Sequence, residues 1–228
     1  MPTTFVLVHG AFGSPAELAP VVPYLEELGH RVVNVDLPCG RAGATLEDYA
    51  AAVVRAMDGI PHPRVLVAHS AGGATIPLVA AQIPAKRLVY VAAVVPEPGQ
   101  SISAALGPEA VEAIGAVTID NGDGTRSFNI DLLASFAPPE EREAYVAFLN
   151  GTQRRQGWPA VNQPWPGGAI PDLPRAYVLC TEDTIIPPKR QRAFAALLGV
   201  SPIEIASVHA AFAFKPKELA DILATLAA

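Results

Sequence analysis

Val65-Leu66-Val67-Ala68-His69-Ser70-Ala71-Gly72-Gly73 joins an unbroken apolar run to a turn of small residues, and a helical pattern through Ile76, Val79, Ala80 and Ile83 follows. A strand that turns this tightly into a helix strains the backbone of the turn residue and lifts its side chain above the sheet. Strand and helix approach closely there, so the positions two before and two after Ser70 must be small. Gly72 meets that demand, and Ala68 meets it with one methyl group more than the usual glycine. Ser70 is therefore the expected nucleophile. The plainer reading is a Gly-Gly helix entry in which the serine only caps. Pro77, inside the following helix, is expected to kink it.

Outward from this stretch, short apolar runs alternate with longer amphipathic ones, the pattern of β-α-β units and a parallel sheet. Strands are expected at Phe5–His9, Arg31–Asp36, Arg64–His69, Arg87–Val95, Arg175–Thr181 and Pro202–Ser207. Their apolar character is continuous rather than alternating, which fits a sheet covered by helices on both faces. Thr45 with Asp48 reads as a capping box opening a helix through Met57. The last helix carries Leu219, Ile222, Leu223 and Leu226 at core-facing spacing.

From Glu97 to Asp172 the alternation stops. Pro108-Glu109 opens a short helix, and Asp120-Asn121-Gly122-Asp123-Gly124 between apolar flanks signals a hairpin. Pro139–Leu149 reads as a further helix, followed by a proline-rich connection through Trp158 and Trp165. This segment is expected to be a lid inserted after the fourth strand. The whole chain, 1–228, then reads as one domain with core 1–96 and 173–228 and lid 97–172.

The 228 residues suit one core, since 50% are hydrophobic and 17% charged. The longest apolar run lies within Leu88–Val95, too short to span a bilayer. A net charge of −6 without a basic cluster argues against nucleic acid or an anionic membrane as partner. Cys39 and Cys180 have no metal-ligand spacing, so no metal and no disulfide are expected. The N-terminus has no basic region, no signal peptide is visible, and a cytoplasmic location is the default.

Phe5-Val6-Leu7-Val8-His9-Gly10-Ala11-Phe12-Gly13 is a buried strand running into a loop. In sheets that carry a serine elbow, this loop supplies one backbone amide of an oxyanion hole, and the residue after the serine supplies the other. Ala11 and Ala71 are the expected donors. His9 more simply holds the loop. A serine nucleophile needs an imidazole to take its proton, and only His209 lies downstream of Ser70. His30 and His62 sit in turns, while His69 should point away from its neighbour. The acid that orients the base belongs after the fifth strand, in Cys180-Thr181-Glu182-Asp183, where Asp183 is favoured over Glu182. Glu97, after the fourth strand, is its rival. Aspartates 120, 123 and 131 are turn and cap residues, and Asp172 lies at the wrong end of its strand.

The chain resembles the α/β-hydrolases of the methylesterase and hydroxynitrile lyase-like group. The resemblance rests on Phe5–Ala11, Asp36-Leu37-Pro38, Leu66–Gly73, Leu88–Val95 with Pro96, Gly99 and Gln100, and Tyr177–Asp183 with Ile186-Pro187 and Gln191. It implies the α/β-hydrolase fold, an open mostly parallel sheet in the order 2-1-3-4-5-6, and the triad Ser70, Asp183 and His209. It also implies a serine carboxylesterase working through an acyl-enzyme on a small or medium apolar ester, with no cofactor. The expected partner is that small molecule, and a homodimer stays open. Trp158, Trp165, Phe136, Phe12 and Phe212 are candidates for an apolar pocket, although core packing accounts for each equally well; Phe12, Trp158 and Phe212 are taken as substrate-binding. Two other classes compete: a hydroxynitrile lyase with the same triad and a non-catalytic receptor. Lyases of the resembling group carry a threonine after the loop histidine and a lysine after the catalytic histidine. Gly10 and Ala210 stand at those positions here, and Val208 replaces the carboxylate that many relatives carry before the histidine.

Overall fold

Apolar residues follow one another without a break along the strands, and the computed structural model, which describes residues 2–135 and 142–227, shows why. The elements of the first half are β1 (Thr4–Val8), α1 (Pro15–Leu18), α2 (Val22–Glu27), β2 (Arg31–Val35), α3 (Leu46–Ala56), β3 (Arg64–His69), α4 (Ile76–Ala80) and β4 (Arg87–Val91). An insertion follows with α5 (Ile102–Leu106), α6 (Pro108–Ala116), β5 (Thr118–Asp120), β6 (Thr125–Phe128), α7 (Ile130–Ser135), α8 (Arg142–Thr152), β7 (Gln156–Gly157) and α9 (Pro159–Asn162). The chain then returns through β8 (Arg175–Cys180), α10 (Pro188–Leu197), β9 (Ile203–Ile205), α11 (Ala211–Phe214) and α12 (Pro216–Ala227).

Six parallel strands form one sheet in the order β2-β1-β3-β4-β8-β9. Successive side chains leave a strand on opposite faces, and both faces are buried here. Val6, Val8, Leu66, Ala68, Leu88 and Tyr90 join the core with α3, α4 and α10. Phe5, Leu7, Val65, Val67, Val89 and Val91 join the other, with α1, α2, α11 and α12. In the central strands β1, β3, β4 and β8 neither face meets water, so neither is under pressure to be polar. The strand order reverses between β1 and β3, which places a crevice at their carboxyl ends.

Local signals set several boundaries. The capping box is present: Thr45 Oγ1 accepts from Asp48 N at 3.3 Å and Thr45 N donates to Asp48 Oδ2 at 3.0 Å. The hairpin forms between β5 and β6, and β7 adds a third strand that the sequence pattern did not signal. The fourth strand ends at Val91, short of the expected Val95, because Ala92 turns to a φ of +43°. Pro77 does not kink a helix. A 3-10 turn over Ser70–Ala74 comes first, and Pro77 sits in the first turn of α4, where its missing N–H leaves no bond unmade. Of the expected helix Pro139–Leu149, the part from Arg142 is seen in α8, and the start at Pro139 lies outside the described residues, as does Phe136. Among the described residues no helix is long and apolar enough to cross a membrane.

The insertion is stitched to the crevice rather than packed apart from it. Arg154 N donates to Phe12 O and Gly157 N to Cys39 O, each at 2.6 Å. Trp165 is buried, and its indole N–H donates to Ala74 O at 2.8 Å.

The elbow itself leaves no room for side chains. A Cβ on Gly72 would stand 2.7 Å from the carbonyl oxygens of Val8 and His9, and one on Gly73 would overlap that of Val94. Both obstacles are backbone and cannot swing aside. Gly73→Ala is therefore expected to lower stability by about 1–3 kcal/mol or more. Gly115→Ala, where a Cβ meets nothing within 4 Å, should gain about 0.5–1 kcal/mol. Urea unfolding midpoints of the two variants check the contrast, and equal midpoints would count against the close approach.

Candidate active site

Ser70 leaves β3 with a φ of +52°, a region that residues with a Cβ rarely occupy. The conformation is held from three sides. Ser70 O accepts from Val94 N at 2.9 Å, the glycines admit the backbones of the neighbouring strand ends, and Gly10 abuts the serine directly. A Cβ on Gly10 would lie 2.7 Å from Ser70 Cβ and 3.2 Å from its Oγ. The loop after β1 and the elbow thus touch at the switch point of the sheet.

His209 lies in the loop after β9, and its Nδ1 stands 2.7 Å from Asp183 Oδ2. Asp183 is 2% exposed and accepts further hydrogen bonds from Gln191 Nε2 at 2.9 Å and from the amides of Ile185 and Ile186 at 2.8 and 2.9 Å. With Oδ2 bonded to His209 Nδ1, the carboxylate fixes the tautomer in which Nε2 is free to accept a proton. The rival Glu97 is exposed, and its backbone N–H bonds Gln100 Oε1 at 3.2 Å. His209 packs against His69, the residue before Ser70, with ring centroids 4.6 Å apart.

The two expected oxyanion donors are in keeping with this geometry. Ala71 is the second residue of the 3-10 turn, where first-turn N–H groups have no partner within the helix. Among the described residues no acceptor is found for the N–H of Ala11. A depression lies beside both, lined by Leu37, Ile102, Ala160 and Val161 together with Gly10 and Ala71.

The three aromatic residues taken as substrate-binding do not line this depression. Phe12, with a φ of +60°, is buried against Phe128 at 4.3 Å between ring centroids. Trp158 lies under the Arg126 guanidinium at 5.4 Å. Phe212 is fully buried in the core that holds α12. Each finds its contacts elsewhere: Phe12 on Phe128, Trp158 on Arg126 and Phe212 in the core.

His9 holds the loop as expected. Its Nδ1–H donates to Gly10 O at 2.9 Å, and its Nε2 accepts from Leu37 N at 3.1 Å. Burial holds its pKa below the ordinary histidine value, so it stays neutral and can play both parts.

Four residues at the site had no role assigned from sequence. Gln156 is buried, accepts from Phe12 N at 3.1 Å and donates to the Tyr49 hydroxyl at 2.9 Å, so the insertion fixes the loop next to Ala11. Gln191 braces Asp183 through Nε2, donates from it to Ile186 O as well, and accepts from Cys180 N through Oε1. Glu17 Oε1 and His69 Nδ1 are both buried and lie 3.1 Å apart, off the line of a good hydrogen bond. Gln191 stood within the resembling segment. A lone glutamate in a first helical turn reads only as a dipole partner, so nothing marked Glu17.

A family model described as the alpha/beta hydrolase family matches residues 5–222. Methylesterase 2 of Arabidopsis thaliana is 29% identical, over 82% of this chain and 81% of its own length. The pyrethroid hydrolase of Sphingobium wenxiniae is 28% identical, over 99% of this chain and 88% of its own. A solved pyrethroid hydrolase from Sphingobium faniae superposes with a TM-score of 0.82 at 23% identity, covering 100% of this chain and 98% of that one. The elbow, the parallel sheet and these likenesses agree, and the chain belongs to the alpha/beta hydrolase family, in its methylesterase and hydroxynitrile lyase-like group.

Proposed function

We propose that this ester-cleaving hydrolase is a serine carboxylesterase working through an acyl-enzyme. The reading is supported by the strained backbone of Ser70 and by the Asp183–His209 pair, bonded at 2.7 Å, whose imidazole packs on His69, the residue before Ser70. Ser70 Oγ attacks the ester carbonyl while His209 Nε2 takes its proton. The carbonyl electrons move to oxygen, and the Ala11 and Ala71 amides receive that oxyanion. His209 returns the proton to the departing alcohol, and an acyl-serine remains. Water then attacks the same carbonyl by the same steps, and the acid leaves. Asp183 orients the imidazole throughout. The apolar depression takes a small or medium apolar group of the ester, and residues 97–172 act as the lid over the single domain. The names methylesterase and pyrethroid hydrolase on relatives over 80% or more of their lengths support an ester as substrate.

A lyase reading is less well supported at two positions. Threonine at position 10 would bring a branched side chain to a site where even a Cβ stands 2.7 Å from Ser70 Cβ. Ala210 offers no ammonium for a departing cyanide.

Ser70→Ala is expected to cut kcat for p-nitrophenyl acetate by about a million-fold with the fold retained, and a fluorophosphonate should label Ser70. Label elsewhere, or an active variant, would falsify the nucleophile. Asp183→Asn should lower kcat by roughly ten-thousand-fold and Glu97→Gln should leave it close to wild type; the reverse ranking in steady-state assays would move the acid to the loop after β4. Incubation with mandelonitrile should release no cyanide above the buffer blank while ester turnover is readily measured. Rapid enzymatic cyanide release without ester turnover would sink the esterase reading and leave the fold standing.

A further inference from the structure

The imidazole that precedes the nucleophile points away from it. His69 follows Ala68 on β3 and so faces the opposite side of the sheet, where α1 and α11 pack. Its Nδ1 lies 3.1 Å from Glu17 Oε1, with side chains only 1% and 9% exposed. Its Nε2 lies 3.0 Å from the main-chain oxygen of His209. Phe212 of α11 closes the space with its ring at 5.6 Å. The other titratable groups around the pair are His9 from the end of β1, His209 itself, and Asp183 from the loop after β8. The carboxylate has a built recess, since a Cβ on Gly13 would overlap it.

The partners decide where the protons are. A main-chain carbonyl only accepts, so Nε2 carries a proton. Nδ1 faces a carboxylate, and with a proton there as well the ring is an imidazolium. Burial alone would pull the His69 pKa down, and the charge of Glu17 outweighs it, leaving the value raised. Burial would push Glu17 up, and the charge of His69 outweighs that, leaving it lowered. A buried ion pair is a weak source of stability compared with apolar packing of the same volume. Its presence behind the site calls for another reason.

We propose that Glu17 and His69 are a positioning pair, in which the imidazolium, anchored by the carboxylate, grips the main chain of His209 and fixes its ring relative to Ser70. Asp183 holds the His209 ring at Nδ1, and the His69 ring packs on it with centroids 4.6 Å apart. The hold on the His209 carbonyl, from a charged donor, fixes the main chain from which that ring extends. The inference rests on the reading of His209 as the base.

The sign of the pH dependence follows from the two shifts. His69 is raised, so its contribution is complete below the ordinary histidine value and is lost as pH rises through the raised one. Glu17 is lowered, so its contribution is lost only as pH falls through that lowered value. Alkaline pH therefore discharges His69 and leaves Glu17 buried without a partner.

The test compares wild type with Glu17→Gln. Nitrogen NMR of wild type at about pH 6.5, the ordinary histidine value, should show both His69 ring nitrogens mostly protonated, and the variant only one. Turnover of p-nitrophenyl acetate should lose ~10-fold in kcat at unchanged KM, as a small misplacement of the base predicts. Wild type should lose kcat and urea midpoint on the alkaline side, and the variant, with no ion pair to discharge, should lack that decline. A neutral His69 in active wild type overturns the proposal, as does a variant with wild-type kcat and alkaline limb. Should the variant not fold, the wild-type NMR titration and pH profile decide by themselves. Failure of wild type to turn over esters or take the fluorophosphonate label would count against the hydrolase reading instead, with the His69 resonances still deciding whether the ion pair exists.

Discussion

Backbone meets backbone at the carboxyl end of β3 with no room for a side chain between, and the rest of the site depends on that contact. Gly72 and Gly73 lie against the carbonyls of Val8, His9 and Val94, and Gly10 lies against Ser70. These contacts hold Ser70 at a φ of +52°, a conformation that costs about 1–3 kcal/mol and persists only where its surroundings over-determine it. The sheet supplies the rigidity, because β1 and β4 flank β3 on either side and are themselves buried on both faces. A looser junction would let the serine relax into an ordinary helical turn.

Around this point three separate parts of the chain are drawn together. The loop after β8 brings Asp183, which Gln191 of α10 and two backbone amides hold in place. The loop after β9 brings His209, bonded to Asp183 on one side and resting on His69 on the other. The insertion brings Gln156, whose side chain bonds Phe12 next to the Ala11 amide, while Arg154 pairs with Asp36 at 2.7 Å beyond the end of β2. The insertion is thus more than a cover. It shapes the loop on which the proposed oxyanion donor stands.

Two polar side chains buried behind the site find their hydrogen-bonding partners in neighbouring segments. His9 spans from the end of β1 to Leu37, and Gln191 from α10 to Cys180. Burial makes the two thiols poor nucleophiles; Cys180 is pushed up to about 12 and Cys39 is raised as well. Chemistry at neutral pH is left to the hydroxyl and imidazoles gathered at the crevice.

The linear sequence by itself determined the sheet and the elbow, and it named Ser70, Asp183 and His209 as candidates for the site. Continuous apolar runs have one economical arrangement, a parallel sheet buried on both faces, and the order serine, acid, histidine follows from where their strands end. The capping box at Thr45 and the hairpin at Asp120–Gly124 were equally legible, because each is a local contest won within a few residues. Only the tertiary structure set Asp183, rather than Glu97, against His209, and only it showed Phe12, Trp158 and Phe212 standing outside the depression at the crevice. An aromatic residue has the same signature in a core as in a binding site. Only tertiary structure, too, joined Glu17 to His69 and Gln156 to Phe12, pairs separated by 52 and 144 residues whose partners are chosen by which helices and loops pack together. Periodicity records which face of an element is buried, and says nothing of which side chain waits on the other side.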